Sequence, residues 1–226
     1  MEIADFRAQL ETELEWRVSE IRFFQNLCEG ITSPNSQMQF RRASVLLLYS
    51  HFEGYCKFAF TLYVAGVNSA SLICSQANFA IVAATLHDVF VKLRYANGKA
   101  SEFRNTLPDD TKLHRFALDM EFVERTAEIM SRPVSIPDDV IDTESNMKPV
   151  VLRKNLFRLG LPHDEFAAFE PSINKLLEVR NKIAHGATKA GIGKALYDDL
   201  RDSALRVMTG VTSGITQAFD EKRFLR

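Results

Sequence analysis

The segment QFRRASVLLLYSHFEGYCKFAFTLYV, residues 39–64, constrains the fold more than any other part of the chain. It is long enough for about seven helical turns, and apolar residues occupy most sides of the helix that it predicts. Such a helix has to be surrounded by other elements, because its apolar surface would otherwise face water. The segment therefore predicts the central helix of a bundle.

Helical periodicity continues on both sides of this segment. Apolar residues recur every three or four positions near the N-terminus, which predicts an amphipathic helix that ends at Gly30, before the loop TSPNS. Further helical stretches are predicted at about 75–95, at 109–130, near 150–160, from Pro171 onwards, and from about Lys194 to Phe219. Strand-like alternation is scarce, so the predicted fold class is all-α, a helical bundle with an up-and-down core.

The 226 residues are predicted to form a single domain over 1–226, with a helical and loop insertion at about 96–150. Neither half of the chain holds an obvious complete core, which argues against a domain boundary. A long insertion is tolerated because the entropy of loop closure grows slowly with loop length. The last part of the insertion, SRPVSIPDDVIDTESNMKP at 131–149, is predicted to be an exposed connection.

Composition limits the classes of function. The chain is 46% apolar and 25% charged, which is typical of a soluble globular protein. A net charge of −1 gives no global basic field, so contact with phosphate has to come from a local cluster of cations. The three cysteines lack C-x-x-C spacing and indicate neither a disulfide framework nor a zinc site. We expect a cytoplasmic protein without a signal peptide, membrane span, metal or cofactor.

The segment LLEVRNKIAHG, residues 176–186, places a charge where an apolar residue is expected. Arg180 shares a helical stripe with Ile173 and Leu177. A charge at such a position is costly unless it is paired or faces a water-filled cleft. His185 lies about 140° further round an ideal helix. The two side chains meet only if the helix ends near Gly186, or if both face a second surface such as another subunit.

Spacing alone does not distinguish this segment from an ordinary helix end. The chain has 5 histidines, and Arg158 and His163 repeat the same spacing in a stretch that contains Gly and Pro. Arg180 and His185 differ from that pair because Asn181 follows the arginine and no helix breaker intervenes. Two interpretations therefore stay open from the residues themselves, a decorated helix C-terminus and a nuclease site.

Two stretches resemble a known family. RNKIAHG resembles the R-N-x-x-x-H signature of HEPN domains, which also occurs in the kinase-extension nuclease domains of the unfolded-protein-response sensor and the interferon-induced latent ribonuclease. MEIADFRAQLETELEWR, followed by RRASVLLLYSHFEGYCKFAF, resembles the opening of the MAE-type prokaryotic HEPN family. Residues 96–150 carry no motif that matches this family.

The resemblance implies a helical bundle that dimerises so that two R-N-x-x-x-H segments face one cleft. It also implies metal-independent RNA cleavage that leaves a 2′,3′-cyclic phosphate and a 5′-hydroxyl. Arg180 would hold the scissile phosphate and His185 would act as general acid or base. Asn181 would orient the phosphate or the histidine. These roles suit the bidentate geometry of a guanidinium and the reference pKa of an imidazole.

Four further residues complete the candidate site. Glu53 belongs to a polar stripe with Lys57 on the predicted central helix, and two interpretations of it are equally open. It forms an exposed i, i+4 pair with Lys57, or it pairs with Arg180 beside the cleft. We predict that three lysines near the motif form a basic rim that contacts the RNA backbone. These are Lys182, Lys189 and Lys194.

The predicted function is a metal-independent endoribonuclease that acts as a toxin or defence effector. Its predicted partners are the RNA substrate, a second copy of the chain, and a cognate antitoxin or regulatory protein. The alternative from another class is a non-catalytic dimeric module that binds RNA, a nucleotide or a protein. A purely structural bundle within a larger complex is the third interpretation.

Overall fold

The computed structural model describes residues 1–94, 110–144, 146–187 and 189–226. The helices of these ranges are α1 (Ile3–Glu29), α2 (Pro34–Ser69), α3 (Phe79–Thr85), α4 (His87–Arg94), α5 (Thr111–Glu124), α6 (Thr126–Ser131), α7 (Pro149–Arg158), α8 (Glu170–Ala184) and α9 (Lys194–Asp220). Short 3₁₀ turns cover Asp138–Val140 and Ala167–Phe169. No strand occurs in the described ranges, only two isolated bridges. The predicted all-α fold class is confirmed.

Four long helices, α1, α2, α8 and α9, form the bundle. Helices α1 and α2 are antiparallel, since Phe24 contacts Phe40 and Trp16 contacts His51. Helices α8 and α9 are likewise antiparallel neighbours, connected by residues 185–193. The helices between α2 and α8 are therefore inserted into an up-and-down core. No helix of the described ranges is long and apolar enough to cross a membrane.

Helix α2 is the centre of the bundle, as its apolar sequence predicts. It packs against α1, α8 and α9. Its far end contributes Tyr63 to an aromatic cluster with Phe219 and Phe224 of the C-terminal region. Phe6 of α1 stacks on Phe219 with ring centroids 4.2 Å apart. This cluster joins α1, α2 and α9 at one end of the bundle.

The helix boundaries have local causes. Ser33 caps α2, its hydroxyl accepting from the Ser36 N–H at 3.3 Å, and Pro34 occupies the first helical position, where no N–H is needed. Helix α8 ends before Gly186, whose φ of +71° is a conformation that favours glycine. Of the two conditions under which Arg180 and His185 could meet, a helix end near Gly186 is the one that the structure shows.

The helical stretch predicted at about 75–95 begins later than expected and consists of two helices, α3 and α4. Residues 74 and 75 donate backbone hydrogen bonds to the carbonyls of residues 132 and 130, which keeps them out of a helix. Asn78 then starts α3, because its side-chain oxygen accepts from the Ile81 N–H at 2.9 Å. A second break at Leu86 separates α3 from α4. The predicted helical stretch at 109–130 is similarly divided into α5 and α6 at Arg125.

The predicted insertion at 96–150 falls partly outside the described residues, which omit 95–109 and Ser145. Its last part, predicted to be exposed, is instead packed onto the bundle. The apolar side chains of this connection are buried, namely Val134, Ile136, Val140, Ile141 and Met147. Asn68 of α2 holds it in place, since its amide donates to the Ile136 carbonyl at 3.0 Å and accepts from the Ile136 N–H at 2.8 Å.

We predict that Gly66→Ala destabilises the bundle. A Cβ at this position of α2 would lie 2.5 Å from the Phe219 ring, so the aromatic cluster would have to shift. Overpacking should outweigh the gain in helix propensity and lower the free energy of unfolding by about 1–2 kcal/mol. The measurement is urea unfolding followed by circular dichroism.

Gly30→Ala is the matched control, because a Cβ there meets its nearest atom at 3.5 Å. Its free energy of unfolding should stay within about 0.5 kcal/mol of the wild-type value or rise slightly. Equal free energies of unfolding for the two variants would show that the Phe219 ring moves aside without loss of stability.

Candidate active site

Helix α8 carries the R-N-x-x-x-H segment and is oriented by its apolar side. Ile173, Leu176 and Leu177 are buried against the bundle. Arg180 continues this side of the helix and is half-buried, so its charge lies at the edge of the core. This placement agrees with the predicted stripe. The charge must then be stabilised by nearby polar groups or by a ligand.

Two neighbours contact the guanidinium of Arg180. Its Nη1 donates to the side-chain oxygen of Asn181 at 2.9 Å. Its Cζ lies 4.5 Å from the centroid of the Tyr49 ring on α2, a cation–π contact. Within the described part of the chain, no carboxylate lies within 4.0 Å of this guanidinium. The remaining N–H groups of Arg180 are therefore available to an anionic ligand.

Tyr49 is buried, and its hydroxyl both donates and accepts a hydrogen bond. It donates to the side-chain oxygen of Asn146 at 2.9 Å and accepts from the Met147 N–H at 2.8 Å. Burial raises the pKa of Tyr49 well above its ordinary value, and the negative charge of Glu53 raises it further. The Met147 N–H and the positive charge of Arg180 act in the opposite direction. The charges of Glu53 and Arg180 thus both act on the pKa of Tyr49.

Glu53 lies one turn after Tyr49 on α2 and is half-buried. Neither of the ion pairs predicted for it, with Arg180 or with Lys57, occurs within 4.0 Å among the described residues. The prediction of a direct Glu53–Arg180 pair is corrected in this respect. The charges of Glu53 and Arg180 act in opposite directions on the pKa of Tyr49.

His185 is the first residue beyond α8. Its backbone N–H donates to the Asn181 carbonyl at 3.0 Å, and its side chain is exposed. The imidazole has no hydrogen-bond partner among the residues that the structure describes, which omit the nearby Thr188. His185 is therefore open to solvent, a ligand or a second subunit.

The three lysines predicted to form a basic rim are all exposed but differ in their partners. Lys182 pairs with Glu178 at 2.5 Å, and Lys194 pairs with Asp198 at 3.0 Å. Lys189 has no ion-pair partner within the described ranges. Two of the three positive charges are thus partly compensated by the protein itself.

The sequence analysis missed Tyr49 and its partners Asn146 and Met147. Tyr49 lies among apolar residues of α2, where it is indistinguishable from an ordinary core aromatic. Its hydroxyl partners are 97 and 98 residues away along the chain, in the connection before α7. A single sequence contains no signal that joins positions so far apart.

A second histidine of α2 is separate from this site. His51 is buried on the side of α2 that faces α1, with its ring 5.5 Å from that of Trp16. Its Nε2 lies 3.0 Å from a carboxylate oxygen of Glu20 without the geometry of a hydrogen bond. Burial lowers the pKa of His51, the charge of Arg17 lowers it further, and Glu20 acts in the opposite direction. His51 is therefore a neutral core histidine near pH 7.

A family model described as RiboL-PSP-HEPN matches residues 12–217, which include the candidate site, all of α2 and α8, and most of α1 and α9. No curated protein and no solved structure gives a significant match.

We predict that His51 makes the fold sensitive to acid. The unfolded histidine binds a proton near pH 6.5, whereas the folded one binds it only at lower pH, so stability falls as the pH drops below about 6.5. The loss is at most about 1.4 kcal/mol per pH unit. The measurement is the free energy of unfolding in urea at pH 7.5 and pH 5.5.

His51→Asn should remove part of this pH dependence, whereas the same change at the exposed His163 should leave it as in the wild type. An identical loss of stability in wild type and His51→Asn would exclude His51 as its cause.

Proposed function

The chain belongs to the RiboL-PSP-HEPN family, and from this premise we propose that it is a metal-independent endoribonuclease. The HEPN assignment predicted from the sequence is confirmed, with the matching family described as RiboL-PSP and not as MAE-type. The proposal rests on the environment of the Arg180 guanidinium. This guanidinium is half-buried and contacts Tyr49 and Asn181, and no carboxylate of the described residues lies within 4.0 Å.

Two partly buried arginines of the bundle differ from Arg180 in this respect, whereas the buried Arg41 of α2 resembles it, because no carboxylate of the described residues lies within 4.0 Å and its Nη2 donates to the Gln37 side-chain oxygen at 3.0 Å. Arg17 pairs with Glu13 at 2.5 Å, and Arg201 pairs with Asp198 at 2.9 Å. A carboxylate partner compensates the cost of partly burying a guanidinium. Arg180 lacks this compensation, and a phosphate would supply it in bidentate geometry.

The proposed reaction uses Arg180 and His185 in separate roles. The ribose 2′-oxygen attacks the adjacent phosphorus and loses its proton to a base, while the bond from phosphorus to the 5′-oxygen breaks and that oxygen takes up a proton. The imidazole of His185 can serve as the base or the acid. Arg180 would stabilise the charge that develops on the phosphate. The products are a 2′,3′-cyclic phosphate and a 5′-hydroxyl end.

We further propose that two copies of the chain form the complete site. The exposed side of α2 next to Arg180 contains Leu46, Ser50 and Glu53, spaced so that they share one face. Leu46 is 37% exposed there, and on α1 Phe23 is 57% exposed. In an isologous dimer these apolar groups would be covered, and each protomer would contribute one Arg180 and one His185 to a shared cleft.

An intracellular RNase has to be restrained. We therefore propose a cytoplasmic toxin or defence effector that is controlled by a cognate antitoxin or regulatory protein. The three free cysteines, all buried, are compatible with a reducing compartment.

A non-catalytic binding module is the second candidate, and one observation favours it. Lys182 and Lys194 are engaged with carboxylates of the protein, so the rim offers a long RNA strand less positive charge than the sequence predicts. A mononucleotide or a protein partner would need fewer cations than an extended strand.

The first test is RNA cleavage in EDTA. Wild type should cleave, and Arg180→Ala and His185→Ala should each reduce the rate at least about 100-fold, since each removes charge stabilisation or proton transfer. Cyclic-phosphate ends should be detected on the products. His163→Ala is the matched control, because His163 is an exposed histidine with the same spacing from an arginine.

Equal cleavage by wild type and both site variants would place the activity elsewhere or in a contaminant. RNA binding that depends on Arg180, without cleavage of any RNA offered, would favour the binding module.

The second test concerns the shared cleft. Refolding Arg180→Ala together with His185→Ala should restore cleavage, because heterodimers contain one intact residue of each type in the cleft. Leu46→Glu should give monomers by light scattering and lose activity, whereas Val123→Glu, at a position 70% exposed on α5, should leave the dimer intact. Full activity of a monomeric Leu46→Glu protein would rule out the composite site.

A further inference from the structure

The orientation of Arg180 needs an explanation beyond its own helix. An arginine side chain has many rotamers and five N–H donors, and catalysis requires one fixed arrangement. Among the described residues, Arg180 makes one side-chain hydrogen bond, to the adjacent Asn181. A neighbour on the same helix turn moves with Arg180 and cannot fix it relative to the bundle. The contact that joins Arg180 to another helix is the Tyr49 ring at 4.5 Å.

The Tyr49 ring is itself fixed from two directions. Its backbone belongs to the buried helix α2, and its side chain is 2% exposed. Its hydroxyl is held at 2.9 Å by the side chain of Asn146 and at 2.8 Å by the backbone of Met147. Met147 is completely buried, so this anchor is part of the core. The ring therefore presents a rigid face to the guanidinium.

We propose that Tyr49 is a positioning residue for Arg180, whose ring fixes the plane of the guanidinium in the candidate cleft and whose hydroxyl ties that ring to Asn146 and Met147. The role rests on the proposed RNase function, because it assumes that Arg180 contacts the substrate phosphate. It makes the connection before α7 a part of the site, although that connection carries no motif residue.

Tyr49 acts through Arg180 and does not transfer protons. Burial keeps the pKa of Tyr49 far above neutral, and the nearby Glu53 carboxylate raises the pKa further. The hydroxyl therefore stays protonated at physiological pH, as its bond to Asn146 requires. A filler of the apolar core would need neither the hydroxyl bonds nor a cation on its face.

Two substitutions test the contributions of the Tyr49 ring and of its hydroxyl separately. Tyr49→Phe keeps the cation–π surface and should lower kcat less than about tenfold. Tyr49→Leu removes that surface and should lower kcat about 10- to 100-fold with little change in KM, because misplacing a catalytic group chiefly affects the transition state. Tyr49→Met replaces Tyr49→Leu if the latter does not show wild-type circular dichroism.

Tyr55→Phe is the matched control. Tyr55 is a completely buried tyrosine of α2 whose hydroxyl contacts Thr212 of α9 and the Leu10 carbonyl. Removing the Tyr55 hydroxyl should lower thermal stability and leave kcat and KM unchanged.

The decisive measurement is a double-mutant cycle with Arg180→Ala. If Tyr49 acts through Arg180, adding Tyr49→Leu to Arg180→Ala should cause no further loss of kcat. A loss by the same factor as in the wild-type background would overturn the proposal, and so would a Tyr49→Phe variant as impaired as Tyr49→Leu.

The same four proteins are compared for binding of a fluorescent oligonucleotide whose ribose 2′-hydroxyls are replaced by hydrogen, so that it cannot be cleaved. If RNA is cleaved and the two substitutions lower kcat by independent factors, the role of Tyr49 is rejected and the RNase function is retained. If no RNA is cleaved and the two substitutions weaken oligonucleotide binding non-additively, the RNase function is rejected. The positioning of Arg180 by Tyr49 is then retained. Absence of both cleavage and Arg180-dependent binding would reject both.

Discussion

The burial of α2 is the constraint on which the rest of the structure depends. This helix is apolar on most sides, and the hydrophobic effect is satisfied only when α1, α8 and α9 cover it. Their arrangement leaves one strip of α2 exposed, the strip that contains Leu46, Ser50 and the half-buried Glu53. Arg180 reaches the bundle beside this strip because the apolar stripe of α8 continues through it. The candidate site is thus a consequence of how the core is covered.

The charge of Arg180 and the groups around it determine the electrostatics of this site. A guanidinium at the edge of an apolar core is destabilising unless something compensates its charge. The bundle supplies an aromatic face and an amide oxygen to Arg180, but no carboxylate within 4.0 Å among the described residues. His185 lies just beyond the helix end, where Gly186 adopts a left-handed conformation and turns the chain away. In the proposed mechanism, a phosphate and a second protomer complete the site.

The connection before α7 shows why a pattern of residue types is a poor guide to irregular segments. Its Pro, Asp and Ser residues predict exposure, yet its apolar side chains are buried and Asn68 satisfies its backbone at Ile136. The cost of burying an irregular backbone is met by such specific hydrogen bonds. The same connection provides the partners of the Tyr49 hydroxyl, so a segment without a motif contributes to the position of Arg180.

The sequence by itself determined the all-α class, the long helices of the bundle, and the R-N-x-x-x-H segment with its helix end at Gly186. These features depend on periodicity, capping and glycine conformation, which act over a few residues. Only the tertiary structure decided that Tyr49 contacts Arg180, that Glu53 does not pair directly with it, and that residues 74 and 75 bond to the carbonyls of residues 132 and 130 instead of starting a helix. These outcomes depend on contacts between residues far apart in the chain, and local sequence preferences carry no information about which of those contacts will form.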